Sequence, residues 1–365
     1  MKTISVLSTE IAGLEFRNPI LPAAGPIVRD GSSLLEIANK GAGGLVSKTV
    51  SLEPAEVPRP NMAKLGDSLI NSELWSEIPL EKWIEREYPK ALEADLPLIA
   101  NIGYTPEEIK EIAPKVAEAG VNALELSTHN LDHDSSSVVE AVEAAKSEVD
   151  LPVFVKLSPQ MLDISDFAQS AEEAGADGIV AISTVGPTLS IDINSEKPIL
   201  GSENGYGWLS GPAIKPIAIR CVADIARAVD IPVFGVGGIK DEQDVAEFLM
   251  AGASAVQICT AAITRGTKIF GLIADDLRKF MNARGYDSIE DISGSALMHL
   301  PEEPIRTTAK QPEVLTSECT GCGLCVKHCP YDAVTIVGGK ARIDSANCTG
   351  CGLCVSVCPP EALRF

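Results

Sequence analysis

The sequence predicts an α/β fold, a (β/α)8 TIM barrel that carries a small cysteine-rich domain at its C-terminal end. Three observations point there. Eight short apolar runs alternate with amphipathic stretches of helical spacing, two connections are far longer than a turn requires, and eight of the ten cysteines crowd into two copies of one motif. Eight buried-type strands with helices between them is the bookkeeping of a closed parallel barrel. A doubly wound open sheet needs fewer strands and usually shows a Gly-rich turn after the first, which Pro22-Ala-Ala-Gly-Pro26 is not.

In chain order, residues 3–16 alternate apolar and polar on either side of Gly13, the pattern of a short hairpin. The apolar runs follow at 19–24, 44–48, 97–102, 123–127, 152–157, 178–183, 232–236 and 254–258. Between them, 106–119, 137–149, 164–174 and 241–251 have helical spacing, and 268–284 reads as the last helix. The connection over 50–90 is Pro-rich and carries Asn71, Ser72, Trp75 and Trp83, while 184–216 carries five glycines, Tyr206 and Trp208. Long loops at the C-terminal rim of a barrel are where binding and catalysis concentrate. An irregular Pro- and Thr-rich stretch then reads as a linker. The expected domains are therefore a barrel over 1–285, a linker over 286–312 and a cysteine-rich domain over 313–365.

That last domain reads Cys319-Thr-Gly-Cys322-Gly-Leu-Cys325-Val-Lys-His-Cys329-Pro, and then Cys348-Thr-Gly-Cys351-Gly-Leu-Cys354-Val-Ser-Val-Cys358-Pro. Each is the C-x2-C-x2-C-x3-C-P spacing of a bacterial-type 2[4Fe-4S] ferredoxin domain, which places three thiolates on one cube and the fourth on the other. Two [4Fe-4S] clusters are expected: Cys319, Cys322, Cys325 and Cys358 on one, Cys348, Cys351, Cys354 and Cys329 on the other. Zinc, the alternative for Cys-x-x-Cys pairs, fits a four-ligand run with a closing Cys-Pro poorly. Such clusters need a reducing or anoxic compartment. With no signal-peptide pattern at the start and no run of about 18 apolar residues, the expectation is a cytoplasmic protein without a membrane span. Thirty basic residues against 51 acidic ones, a net charge of −21, offer no footprint for nucleic acid. The excess speaks to solubility, or to a salt- or heat-adapted host.

In a barrel, phosphate groups usually sit after the seventh and eighth strands. Here those runs end Val236-Gly237-Gly238-Ile239 and Ile258-Cys259-Thr260, and glycine lets backbone N–H groups approach an anion. Lys48 closes the second run and Lys156 lies inside the fifth. An unpaired ammonium among buried strand residues is costly, so lysines placed this way point at a ligand. A flavin suits them, since its reduced ring is anionic and a lysine compensates that charge.

With these residues in view, the barrel resembles the dihydroorotate dehydrogenase family, and the whole chain resembles the FMN- and iron–sulfur-bearing part of dihydropyrimidine dehydrogenase. The matching positions are Asn18-Pro19 leading to Ala23-Ala24-Gly25, Ser47-Lys48-Thr49, Ile70-Asn71-Ser72, Val155-Lys156-Leu157-Ser158-Pro159, Leu209-Ser210-Gly211-Pro212-Ala213-Ile214-Lys215-Pro216, Gly235-Val236-Gly237-Gly238-Ile239 and Val256-Gln257-Ile258-Cys259-Thr260. The resemblance implies FMN held by Ala23, Ala24, Lys48, Thr49, Lys156, Gly211, Gly237, Gly238, Cys259 and Thr260. It implies a substrate contact from Asn71, and Asn130, Ser183 and Thr184 are further candidates to face the substrate. The family often dimerises through its barrel, so a homo-oligomer is compatible with it.

Two stretches depart from the family, both at the substrate. After the fourth run the family has Asn, then Ser-Cys-Pro-Asn and a loop bearing a Cys or Ser acid/base. This chain has Ser127-Thr128-His129-Asn130-Leu-Asp132-His133-Asp134-Ser135, with no cysteine. After the sixth run the family's Asn-Thr is Ser183-Thr184. Amide side chains match the edges of a pyrimidine, and each one lost leaves an unpaired group costing on the order of 1–3 kcal/mol. The expected substrate is thus neither uracil nor orotate. His129 and His133 are the candidate acid/base, with Ser135 a second option beside its simpler role as a helix N-cap. Cys221, His299 and His328 are read as bystanders.

The expected activity is an FMN- and iron–sulfur-dependent oxidoreductase acting on a CH–CH or C=C bond of a small-molecule substrate. Its clusters would relay electrons between FMN and an external protein, a ferredoxin or an NAD(P)H-oxidising subunit. One alternative is a true dihydropyrimidine or dihydroorotate dehydrogenase catalytic subunit, which turnover of those compounds would reveal. Another is a non-catalytic flavin and iron–sulfur electron-transfer module, which would tolerate loss of both histidines.

Overall fold

The apolar runs fold as β1 (Ile20–Pro22), β2 (Leu45–Val46), β3 (Leu98–Ile102), β4 (Ala123–Ser127), β5 (Val153–Leu157), β6 (Gly178–Ala181), β7 (Val233–Val236) and β8 (Ala255–Ile258). In this computed structural model, which describes residues 5–127, 135–301 and 309–365, all eight are parallel and bond in the order β1-β8-β7-β6-β5-β4-β3-β2. The ends of that order are neighbours in the chain. Between them the Gly43 N–H donates to the Ile20 carbonyl at 2.8 Å, and the sheet closes into a barrel. Gly43 is glycine for a steric reason: a Cβ there would lie 1.8 Å from the Asn18 carbonyl oxygen. Asn18 Nδ2 and Arg17 Nε pin the same seam by donating to the Gly41 and Ala42 carbonyls.

Successive strand side chains face opposite ways, and the barrel sorts them. In β5, Val153, Val155 and Leu157 pack outward beneath the helices, whereas Phe154 joins an axial cluster with Leu21, Val46, Ile99, Ala123, Val180, Phe234 and Ala255. Phe154 and Phe234 meet edge-on with centroids 5.0 Å apart. Phe16, from the hairpin Thr9–Ile11/Leu14–Phe16, adds a third ring 6.4 Å from Phe234. Each fully buried side chain of this size contributes about 1.5–3 kcal/mol over leaving it exposed.

Helices Pro106–Glu118, Ser136–Glu148, Ile164–Glu173, Glu242–Met250 and Ile269–Arg284 stand where the spacing expects them. Their starts are set chemically. Thr105 and Glu108 form a reciprocal capping box, and the Asp163 and Asp241 carboxylates accept from first-turn N–H groups.

The two long connections pair with each other. Val185–Thr188, Gly207–Ser210, Ser68–Asn71 and Met62–Leu65 form one antiparallel sheet in that order, with Trp208 opposite Asn71 and Ser210 opposite Leu69. Trp83 does not belong to this rim. It is buried on a helical segment against Tyr88 and donates to Ser76 Oγ.

The expected linker begins too early. Ile289–Ile292 is a helix whose isoleucines are buried, and the Gly294 and Ala296 N–H groups donate to the Leu249 and Met250 carbonyls. Apolar burial thus recruits this stretch to the barrel, and the compact units are Met1–His299 and Leu300–Phe365. Residues 302–308 of that expected linker lie outside the described ones.

The second unit is built from two similar halves. Each motif turns through left-handed glycines, Gly321 and Gly323 or Gly350 and Gly352, into a short helix, Leu324–Lys327 or Leu353–Ser356. The hairpin Val334–Val337/Lys340–Ile343 joins the halves, and Glu313–Val314 pairs with Leu363–Arg364. Among the described residues no helix is long and apolar enough to cross a membrane.

Candidate active site and cluster ligands

The axial side chains change character one step along the strands. Above the aromatic layer, Asn101 on β3, Glu125 on β4, Lys156 on β5 and Gln257 on β8 all face inward and are buried. Glu125 Oε1 accepts from Asn101 Nδ2 at 2.6 Å and Lys156 Nζ at 3.1 Å, and its Oε2 accepts from Gln257 Nε2 at 2.6 Å. Lys156 also donates to Gln257 Oε1 at 3.3 Å. A carboxylate taken this far from water persists only when its lone pairs are so occupied. Asn101 Oδ1, by contrast, is buried without a hydrogen-bond partner.

Over this polar floor lies a cavity of about 520 Å³, a size that suits a cofactor. Ala23, Ala24, Lys48, Thr49, Lys156, Gly211, Gly237, Gly238, Cys259 and Thr260 all line it. So do Asn71, Ser183 and Thr184. Gly211 and Gly238 adopt φ of +91° and +82°, and a Cβ on Gly238 would lie 2.7 Å from the Gly211 carbonyl oxygen, so any larger residue would be strained there and would fill the cradle. Thr260 Oγ1 donates to Ser210 Oγ at 2.9 Å, tying the end of β8 to the antiparallel sheet. Burial pushes the Cys259 thiol up to about 12, against the pull of Lys156 and Lys48.

Just beyond β2, Lys48 Nζ donates to Glu73 Oε2 at 2.7 Å, and Asn61 Nδ2 holds Glu73 Oε1 at 2.6 Å. Asn71 lines the cavity with its amide engaged on both sides: Nδ2 donates to the Trp208 carbonyl, and Oδ1 accepts the Glu73 N–H. Trp75 and Tyr104 meet edge-on at 5.5 Å, and with Trp208 they supply aromatic wall. Burial raises the Tyr104 hydroxyl above its ordinary range.

The candidate acid/base residues fare differently. His129, His133 and Asn130 lie outside the described residues. Ser135 is no acid/base of this cavity. It starts the helix Ser136–Glu148, its Oγ accepts from Ser170 Oγ at 2.8 Å in the helical layer, and it does not line the cavity. Sequence reasoning missed Asn101, Glu125, Gln257 and Glu73. Glu125 carried a usable signal, because a lone carboxylate in Ala123-Leu-Glu-Leu-Ser127 needs a buried partner as much as Lys156 does. Cys221 is a packed core residue.

In the second unit, Cys329 of the first motif lines one small cavity together with Cys348, Cys351 and Cys354 of the second. Cys325 is near Cys319 and Cys322, and burial pushes its thiol and that of Cys354 up. N–H groups of Ala341 and Gly321 pull the Cys319 thiol down. The halves repeat a detail: Ala333 N–H donates to Cys329 Sγ, and Ala362 N–H to Cys358 Sγ, each at 3.3 Å. Such N–H···S bonds stabilise thiolates and tune a cluster. Among the described residues no three His, Cys, Asp or Glu side chains close around a single ion; the cavity gathers four thiols, the number that one cube takes. His328 stands among these cysteines with Nδ1 2.9 Å from the Leu324 carbonyl.

A parallel barrel with a lysine-bearing cavity at its strand ends, followed by a double four-cysteine motif, defines a redox enzyme class, and comparison with known proteins narrows it. A family model described as dihydroorotate dehydrogenase matches residues 6–281, and one described as a 4Fe-4S dicluster domain matches 311–359. The chain belongs to the dihydroorotate dehydrogenase family, and with it to the FMN- and iron–sulfur-dependent oxidoreductases acting on CH–CH bonds. It is 40% identical over 303 residues to the "Dihydroorotate dehydrogenase B (NAD(+)), catalytic subunit" of Methanothermobacter thermautotrophicus, covering 80% of this chain and 98% of that one. Proteins of the same description from Pyrococcus abyssi and Methanosarcina mazei are each 39% identical, again over 80% of this chain and over 99% and 96% of theirs.

Proposed function

We propose that the barrel cavity holds FMN, that the second unit holds two [4Fe-4S] clusters, and that together they pass electrons between a carbon–carbon bond of the substrate and an external protein. The observation that carries the reading is the gathering of all ten FMN-assigned residues on one cavity over a buried polar floor. Asn101 Oδ1, an acceptor in need of a donor, matches the N–H of a flavin ring. When bound, FMN supplies the exchange between a hydride on carbon and single electrons. Gly211, Gly237, Gly238 and Thr260 give the close approach a phosphate needs, and Lys48 and Lys156 bring N–H donors to the ring, each paired to a carboxylate, Glu73 and Glu125. Asn71, Ser183 and Thr184 face the substrate. The proton is handled by His129 or His133, with Asn130 alongside, in a substrate loop that departs from the dihydropyrimidine dehydrogenase-like pattern of the rest of the chain.

The barrel relatives are described as catalytic subunits, which supports an electron partner for this chain too. That partner is a ferredoxin or an NAD(P)H-oxidising subunit, met in the cytoplasm, where cysteine thiols stay reduced and free to ligate clusters. Anaerobic reconstitution with FMN, iron and sulfide tests the reading. Flavin absorbance together with cluster spectra is the expected result, and clusters without flavin would sink it. In the same preparation His129→Ala combined with His133→Ala keeps the flavin and loses turnover. Retained turnover would move the proton chemistry elsewhere.

A further inference from the structure

We propose that Glu73 makes this a site for substrates that are uncharged at the Lys48 wall and offer an N–H to it, such as cyclic amides or imides, and that it excludes carboxylates. The inference rests on the reading of the cavity as a flavin site. Three charged side chains among the described residues line that cavity: Lys48, Lys156 and Glu73. Each lysine is already answered by a carboxylate, Lys48 by Glu73 at 2.7 Å and Lys156 by Glu125 at 3.1 Å. Among the described residues the cavity therefore offers an incoming anion no net positive charge.

Glu73 is also held in place. Asn61 Nδ2 donates to its Oε1, its own N–H donates to Asn71 Oδ1, and Asn71 is anchored in turn to the Trp208 carbonyl. The side chains of Lys48 and Glu73 are 7% and 12% exposed, so water screens the pair little. A substrate carboxylate reaching Lys48 would have to crowd the Glu73 carboxylate, a like charge in a poorly screened site. A neutral N–H meets the opposite situation, because each carboxylate oxygen keeps a second lone pair after bonding Lys48 or Asn61. Trp75, Tyr104 and Trp208 give such a ring flat apolar faces to pack on.

The test uses uracil and orotate, neither of them the substrate expected from the sequence but differing by one carboxylate, as matched binding probes of the FMN-loaded holoenzyme, read by perturbation of the flavin spectrum. Flavin content is measured first, so that an empty barrel registers as failure of the cofactor reading and not of this one. In the unsubstituted enzyme orotate binds at least tenfold more weakly than uracil. Glu73→Gln, which frees the Lys48 charge, strengthens orotate binding at least tenfold without strengthening uracil. Glu73→Asp, which retains the charge, leaves orotate weak. Orotate binding as tightly as uracil to the unsubstituted enzyme would overturn the proposal. So would a flavin-loaded Glu73→Gln enzyme whose orotate affinity is unchanged, including one in which neither protein binds it.

Discussion

The barrel unit surrounds its axis with Phe16, Phe154 and Phe234 and buries a second, larger apolar layer between strands and helices. The core of the cluster unit has seven residues, of which Cys319, Cys325 and Cys354 are three. Charge divides as unevenly. The cluster unit carries seven acidic and six basic residues, so nearly all of the chain's −21 belongs to the barrel. A segment of this size with so small a core needs staples, and cluster bonds supply them. The barrel stands on apolar burial.

The difference can be broken from either side. The largest effect is expected from Cys329→Ser, which removes the thiol that the first motif places in the cavity of Cys348, Cys351 and Cys354. Iron content should fall by about half, and the cluster unit should become sensitive to protease while the barrel's melting transition stays in place. Iron analysis and limited proteolysis on one preparation decide it. Next comes Glu125→Leu, which takes the carboxylate away from buried Lys156. A loss of about 3–5 kcal/mol is expected for breaking such a pair from one side, seen as an earlier barrel transition in denaturant with iron content unchanged. If iron is lost as well, the two units are coupled more closely than their separate cores imply. The smallest effect is that of Thr105→Ala, which opens the capping box at the helix Pro106–Glu118. About 1 kcal/mol of barrel stability should go, with no change in either chromophore.

Much of the site could be read before the fold was known. Lys48 and Lys156 announced themselves because an ammonium in an apolar run has to face something polar, and both face the cavity. The same reasoning extends to Glu125, the carboxylate that Lys156 meets. Ser135 misled because its place after the histidines suggested the rim, whereas helix initiation carried it into the outer layer beside Ser170. The linker was misjudged for a related reason: Ile289 and Ile292 are too few to show a period, yet enough to dock on the end of the helix Glu242–Met250.

By itself the sequence determined the eight strands and the double four-cysteine motif of a 4Fe-4S dicluster domain. Buried parallel strands show as short apolar runs, and cluster ligands are set by local spacing. Only the tertiary structure decided that Glu73 meets Lys48, 25 residues away, and that Asn71 meets Trp208, 137 residues away. Asn71 and Trp208 come together through the register of a sheet built from two separate connections, Glu73 follows Asn71 to its place beside Lys48, and local spacing does not say which distant strand will lie alongside.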